Sequence, residues 1–141
     1  MTSLVLTYPS AREANNQVLD DLKRFLSECG VERNLVYGLS LTVSEAFTNA
    51  VIHAHHEDRS KVVTLQLQVN EDQVIADIID QGNGGVERIE SKRPSTALDE
   101  GGRGIDLIRH FADDCSFTET ADGGLKVSIR FLRMKENEHT T

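Results

Sequence analysis

Apolar residues recur along this chain with two periods, and each change of period marks a new element. Ser3 to Thr7 alternates around Leu4 and Leu6, which predicts a first strand, and Pro9 with Ser10 turns the chain toward a helix. From Ala11 to Glu28, residues Ala14, Val18, Leu22, Phe25 and Leu26 recur at three and four, giving a helix with one buried stripe that Gly30 stops. A second helix runs from about Glu32 to Ala54 with Leu35, Leu39, Thr42, Ala46, Phe47 and Ala50 on its inner side. His55 to Ser60 is polar enough to be its exit loop.

The period then falls to two. Val62 to Val69 sets Gln66 and Gln68 on the face opposite its apolar residues, and Gln73 to Ile79 follows after Asn70, Glu71 and Asp72, so the pair reads as an antiparallel hairpin. Gly82 to Gly101 has glycines, charge, Pro94 and almost no apolar period, which predicts a long functional loop with at most one short helical turn. Gly104 to Phe111 resumes a helical period through Ile105, Leu107, Ile108 and Phe111. Two strands end the pattern, Cys115 to Thr120 and Leu125 to Leu132, joined by Ala121, Asp122, Gly123 and Gly124, with Lys135 to Thr141 a polar tail. Helices early, strands late and hairpin spacing predict an α/β two-layer sandwich, with three main helices on one face of a mostly antiparallel five-stranded sheet. Gln66, Gln68, Ser128 and Arg130 predict that the other face meets water.

Composition narrows the function more than the fold. The 141 residues make a single domain, 1–141, and 38% hydrophobic with 27% charged residues is a globular composition. No stretch approaches the roughly 20 apolar residues of a bilayer span, and Met1 to Pro9 lacks the pattern of a secretory signal, so a cytoplasmic protein without a membrane partner is expected. Cys29 and Cys115 stand far apart and outside any CxxC pair, which gives metal or redox chemistry little support. A net charge of −8 works against a grip on nucleic acid and favours a protein or small molecule as partner. It also repels a nucleoside triphosphate, so such a ligand would need a cation and backbone amides around it.

Three segments supply those parts. In SEAFTNAVIHAH, Glu45 and Asn49 lie one helical turn apart and share a face. A carboxylate there is a candidate base for a hydroxyl or water attacking phosphorus, and the Asn49 amide oxygen is a candidate Mg²⁺ ligand. Asp80 closes an apolar strand and opens the run Gln81, Gly82, Asn83, Gly84, Gly85. It suits a hydrogen bond from an exocyclic amine such as adenine's, with glycine backbone passing beneath a flat ring. Gly101, Gly102, Arg103 and Gly104 stand at the start of the third helix, where uncrowded amides suit phosphate. The run lacks the Lys-Ser or Lys-Thr of a Walker loop, and no strand leads directly into it as in a dinucleotide fingerprint.

The order Glu45, Asn49, Asp80-x-Gly82-x-Gly84 and Gly102-x-Gly104 resembles the Bergerat-type nucleotide site of the GHKL superfamily, which includes gyrase, histidine kinases and MutL. SEAFTNAVIHA matches most specifically the SEAxTNAxxHA core of the small bacterial anti-sigma factor serine kinases of stress response and sporulation. The resemblance implies a mixed, mostly antiparallel Bergerat sheet with Glu45 as catalytic base, Asn49 holding Mg²⁺ and Asp80 holding the adenine amine of ATP. It implies that Gly82, Gly84, Gly102 and Gly104 bind the nucleotide and bracket an ATP lid over 86–101 that covers the phosphates. The implied function is an anti-sigma factor with serine/threonine kinase activity toward a STAS-type anti-anti-sigma antagonist. The implied partners are a sigma factor, that antagonist and a second copy of the chain. Arg103 suits a terminal phosphate, a partner or solvent, and His53, one turn beyond Asn49, suits the phosphate end or simple helix-end packing. Asp106 stands where histidine kinases usually carry a further glycine, and the segment between Gly85 and Gly101 departs from the sporulation protein. A non-catalytic nucleotide-dependent binding module and a histidine-kinase-type catalytic domain are the alternatives.

Overall fold

Alternation and helical stripes translate into nine elements in the computed structural model, which describes residues 1–54, 58–81 and 100–133, with the backbone path alone at 53–54 and 100–104. They are β1 (Thr2–Pro9), α1 (Ala14–Glu28), α2 (Arg33–Asn49), a π-helical turn (Ala50–Ala54), β2 (Val62–Val69), β3 (Gln73–Asp80), α3 (Glu100–Phe111), β4 (Asp114–Glu119) and β5 (Leu125–Leu132). The sheet order is β1-β2-β3-β5-β4. All four pairings are antiparallel, so the expected predominance of antiparallel pairing extends to every rung described.

Register sorts the side chains. One row, Leu4, Leu67, Ala76, Ile129 and Cys115, crosses all five strands beneath the helices. The adjacent row, Val5, Gln66, Asp77, Ser128 and Ser116, points the other way, because successive strand residues face opposite sides. Gln66, Gln68, Ser128 and Arg130 all lie half-buried on that face, with no second layer over it among the described residues.

α2 is the central helix and packs against α1, α3 and the sheet. Its inner residues Leu35, Leu39, Thr42, Val43, Ala46 and Phe47 are buried, as are Val18, Leu22, Phe25 and Leu26 of α1. Each large side chain among them contributes about 1.5–3 kcal/mol by leaving water. Gly38 lets α2 sit close to β5, since a Cβ there would lie 2.7 Å from the Phe131 ring. α1 closes on Gly30 at φ 70°, with Gly30 N–H donating to Ser27 O and Val31 N–H to Leu26 O, both at 3.0 Å.

Three expectations change. Arg33–Ile52, at 20 residues and mean hydropathy 1.3, does reach the length and composition of a bilayer span, yet its buried side chains Leu35, Leu39, Val43, Ala46 and Phe47 belong to the core and its outer face carries Ser40, Ser44 and Glu45. The second helix is α-helical only to Asn49 and widens into a π turn over Ala50–Ala54. The third helix begins at Glu100 rather than Gly104. The expected exit-loop residues 55–57, the lid over 86–99 and the tail over 135–141 lie outside the described residues, while lid positions 100–101 fall inside α3.

Candidate nucleotide site

The last turn of α2 carries the first two candidate residues. Glu45 and Asn49 are both half-buried there, one turn apart, and the helical repeat breaks immediately after Asn49. Asn49 Nδ2 is fully buried and has no hydrogen-bond partner among the described residues. An unmet buried amide costs about 1–3 kcal/mol, so Nδ2 is a donor still open to a partner beyond the described residues. The amide has the chemistry to hold a Mg²⁺–phosphate group, its oxygen being a neutral ligand such a cation would accept and its nitrogen a donor to phosphate. π turns concentrate at functional positions, and this one holds the His53 backbone beside Asn49.

α1 braces this turn. Asn15 Nδ2 donates to Ser44 Oγ at 2.9 Å, tying the first turn of α1 to the residue before Glu45. Tyr8 of β1 packs edge-on against Phe47 with ring centroids 6.2 Å apart, and its hydroxyl donates to Asp21 Oδ2 at 2.8 Å. Asp21 Oδ1 also accepts from Gln17 Nε2 at 2.8 Å and Arg24 at 2.7 Å. Burial raises the Asp21 pKa, but the bonds from Tyr8 and Gln17 and the Arg24 charge outweigh it and hold the carboxyl below its ordinary value. Tyr8 moves the opposite way, raised first by burial and then by its bond to that carboxylate. Neither Asn15 nor Tyr8 is legible in sequence, because each works through a partner at least 13 residues away.

Asp80 ends β3 and is 4% exposed. Its Oδ1 accepts from the Leu125 N–H at 3.2 Å, one position beyond the last β3–β5 rung at Ile79 and Lys126. This contact orients the carboxylate at the end of β3. Gly82 and Gly84 lie outside the described residues. At α3 the first four amides, those free of intrahelical partners, belong to residues 100–103. Gly102 and Arg103 are therefore in the open first turn, whereas Gly104 falls one turn into the helix, a correction to the expected start. The Cys115 thiol is pushed up to about 11, chiefly by burial, and is no nucleophile at neutral pH.

Comparison with known proteins supplies the lineage. Residues 8–131 match the model of the histidine kinase-like ATPase domain. An anti-sigma F factor of Clostridium perfringens is 31% identical over 97 residues, covering 65% of this chain and 69% of that protein. A serine-protein kinase RsbW of Bacillus licheniformis is 30% identical over 130 residues, covering 85% and 80%. Among solved structures, the RsbU and RsbW domains of Rv1364c from Mycobacterium tuberculosis superpose with TM-score 0.66 at 16% identity, covering 94% of this chain and 33% of that one. The SiaB–SiaC complex from Pseudomonas aeruginosa superposes with TM-score 0.59 at 17% identity, covering 92% and 89%. These two share the fold, and the family model matched over most of the length shows more: this chain belongs to the histidine kinase-like ATPase family, within the GHKL or Bergerat-fold superfamily and related to its anti-sigma factor kinases.

Proposed function

We propose that the chain is an anti-sigma factor that transfers the γ-phosphoryl group of ATP, with Mg²⁺, to a serine or threonine of a STAS-type antagonist. Family membership supports a kinase or partner-switching role in general terms. The observation that carries the finer reading is the buried, unmet amide of Asn49 one turn from Glu45, a metal ligand and a base on the same helix end. Glu45 would take the proton of the acceptor hydroxyl, Asn49 would hold Mg²⁺, and Asp80 would hold the adenine amine. Gly82 and Gly84 would pass beneath the adenine ring, Gly102, Arg103 and Gly104 would line the phosphates with His53 beside them, and 86–101 would be the lid. When bound, Mg²⁺ offsets phosphate charge that a chain of net charge −8 would otherwise repel. In this reading a homodimer holds the sigma factor, and the unphosphorylated antagonist displaces it.

The test is transfer of label from [γ-³²P]ATP to a purified antagonist, run beside sigma-factor competition and size measurement at micromolar concentration. Phosphoserine or phosphothreonine on the antagonist is the expected product. ATP binding without transfer, at saturating antagonist and Mg²⁺, would reduce the chain to a nucleotide-dependent binding module.

A further inference from the structure

α2 carries a second stripe beside its core-facing one. Val36, Tyr37, Ser40, Leu41, Ser44 and Glu45 recur at helical spacing and, with Leu19 and Lys23 of α1 and Arg33, line a solvent-facing groove of about 440 Å³. Tyr37 is 65% exposed on its rim, the kind of large amphipathic side chain that anchors protein interfaces. Lys23 and Arg33 are exposed and, among the described residues, have no ion-pair partner, although the chain carries net charge −8. From Arg33 to Glu45 the α2 wall is about 18 Å long, the reach of five or six extended residues. Its open side suits a segment of a larger partner rather than an enclosed small molecule.

We propose that this groove docks the segment of the acceptor protein that bears the phosphorylated hydroxyl, an apolar segment with an acidic flank. The inference rests on the kinase reading above and adds to it the surface that chooses the substrate. Leu19, Val36 and Leu41 receive the apolar side chains, Tyr37 is the aromatic anchor, and Lys23 with Arg33 meets the acidic flank. Glu45 ends the α2 wall of the groove, so a segment lying along it delivers its hydroxyl to the candidate base. There the carboxylate takes the proton, the hydroxyl oxygen bonds to the γ-phosphorus, and the bond from that phosphorus to the bridging oxygen breaks to release ADP. The two cations should govern encounter rate and salt dependence, and Tyr37 the lifetime of the complex.

The experiment selects peptides from a random 12-residue displayed library on the full chain and measures the selected peptides against parent, Tyr37→Ala and the double variant Lys23→Glu/Arg33→Glu. All three positions are exposed, so melting temperature and Mg·ATP affinity should match the parent and certify the fold. The expected peptides join apolar residues to an acidic flank, and both variants weaken them about tenfold or more. No selected binder, or binders indifferent to both variants, overturns the proposal. Peptides held through Tyr37 but never phosphorylated leave the docking surface standing and remove the kinase reading. Phosphorylation with unchanged KM in both variants does the reverse.

Discussion

The two ends of α2 treat polar groups in opposite ways. Beyond its N-terminus, Arg133 donates through Nε and a terminal nitrogen to Glu32 Oε1 at 3.0 and 2.8 Å, to Asn70 O at 2.7 Å and to Gly30 O at 3.1 Å. Its backbone N–H donates to Asp72 O at 2.8 Å, so one residue ties the α1–α2 turn, the β2–β3 turn and the end of β5 together. Among the described residues, Glu32 Oε2 alone is left buried without a partner there. At the C-terminal end the Asn49 Nδ2 is unmet, Asn15 Oδ1 is unmet beside Ser44, and the helix loses its α repeat. One end turns its donors onto the fold, and the other leaves two polar atoms unmet among the described residues.

Glu45→Gln should give the largest effect at the C-terminal end. A positioned base is worth about 10²–10⁴-fold, so single-turnover transfer should fall by that factor with the melting temperature unchanged. A loss of stability in place of rate would make Glu45 structural. Arg133→Ala should do the opposite, lowering stability by about 1.5–3 kcal/mol in urea unfolding through loss of charged hydrogen bonds, with Mg·ATP affinity intact. If nucleotide affinity falls with stability, the two ends are coupled and the contrast fails.

Asp80→Asn sharpens the boundary between the two behaviours. Asparagine keeps an oxygen for the Leu125 N–H, so the sheet end should hold while ATP affinity drops about tenfold by calorimetry. The parent should bind GTP poorly, because a carbonyl would face the carboxylate. Tyr8→Phe is the smallest change, about 1 kcal/mol, since the ring stays against Phe47 and only the bond to Asp21 goes. A carboxylate whose pKa is lowered on folding stabilises above its unfolded value and loses that contribution as pH falls through the folded one. The gap between parent and variant should therefore be widest near neutral pH and close below pH 3.8. A constant gap across that range in thermal melts would remove Asp21 from the account.

Local pattern carried most of the elements and little of their arrangement. β2 and β5 begin and end where alternation placed them, and α1 stops at Gly30 because only a left-handed residue closes it there. α3 starts earlier than its apolar period because packing against α2 carries the helix through glycines that disfavour it. Insertion of β5 between β3 and β4 leaves no mark on periodicity, and the contact of Arg133 with Glu32 spans 101 residues. Spacing placed Glu45 and Asn49 one turn apart on the second helix and Asp80 at a strand end, where the structure has them. The Tyr37 groove was not legible, since tyrosine and serine interrupt its stripe and leave no apolar repeat to count.

The Asp80–Leu125 bond, with the β3–β5 ladder behind it and α3 seated on α2, pins both ends of the stretch from Gln81 to Glu100 to the scaffold. A chain closed between fixed ends changes its entropy only slowly with length, about 0.6 kcal/mol for each doubling. Lengthening or shortening the connection between those anchors should therefore cost the domain little stability.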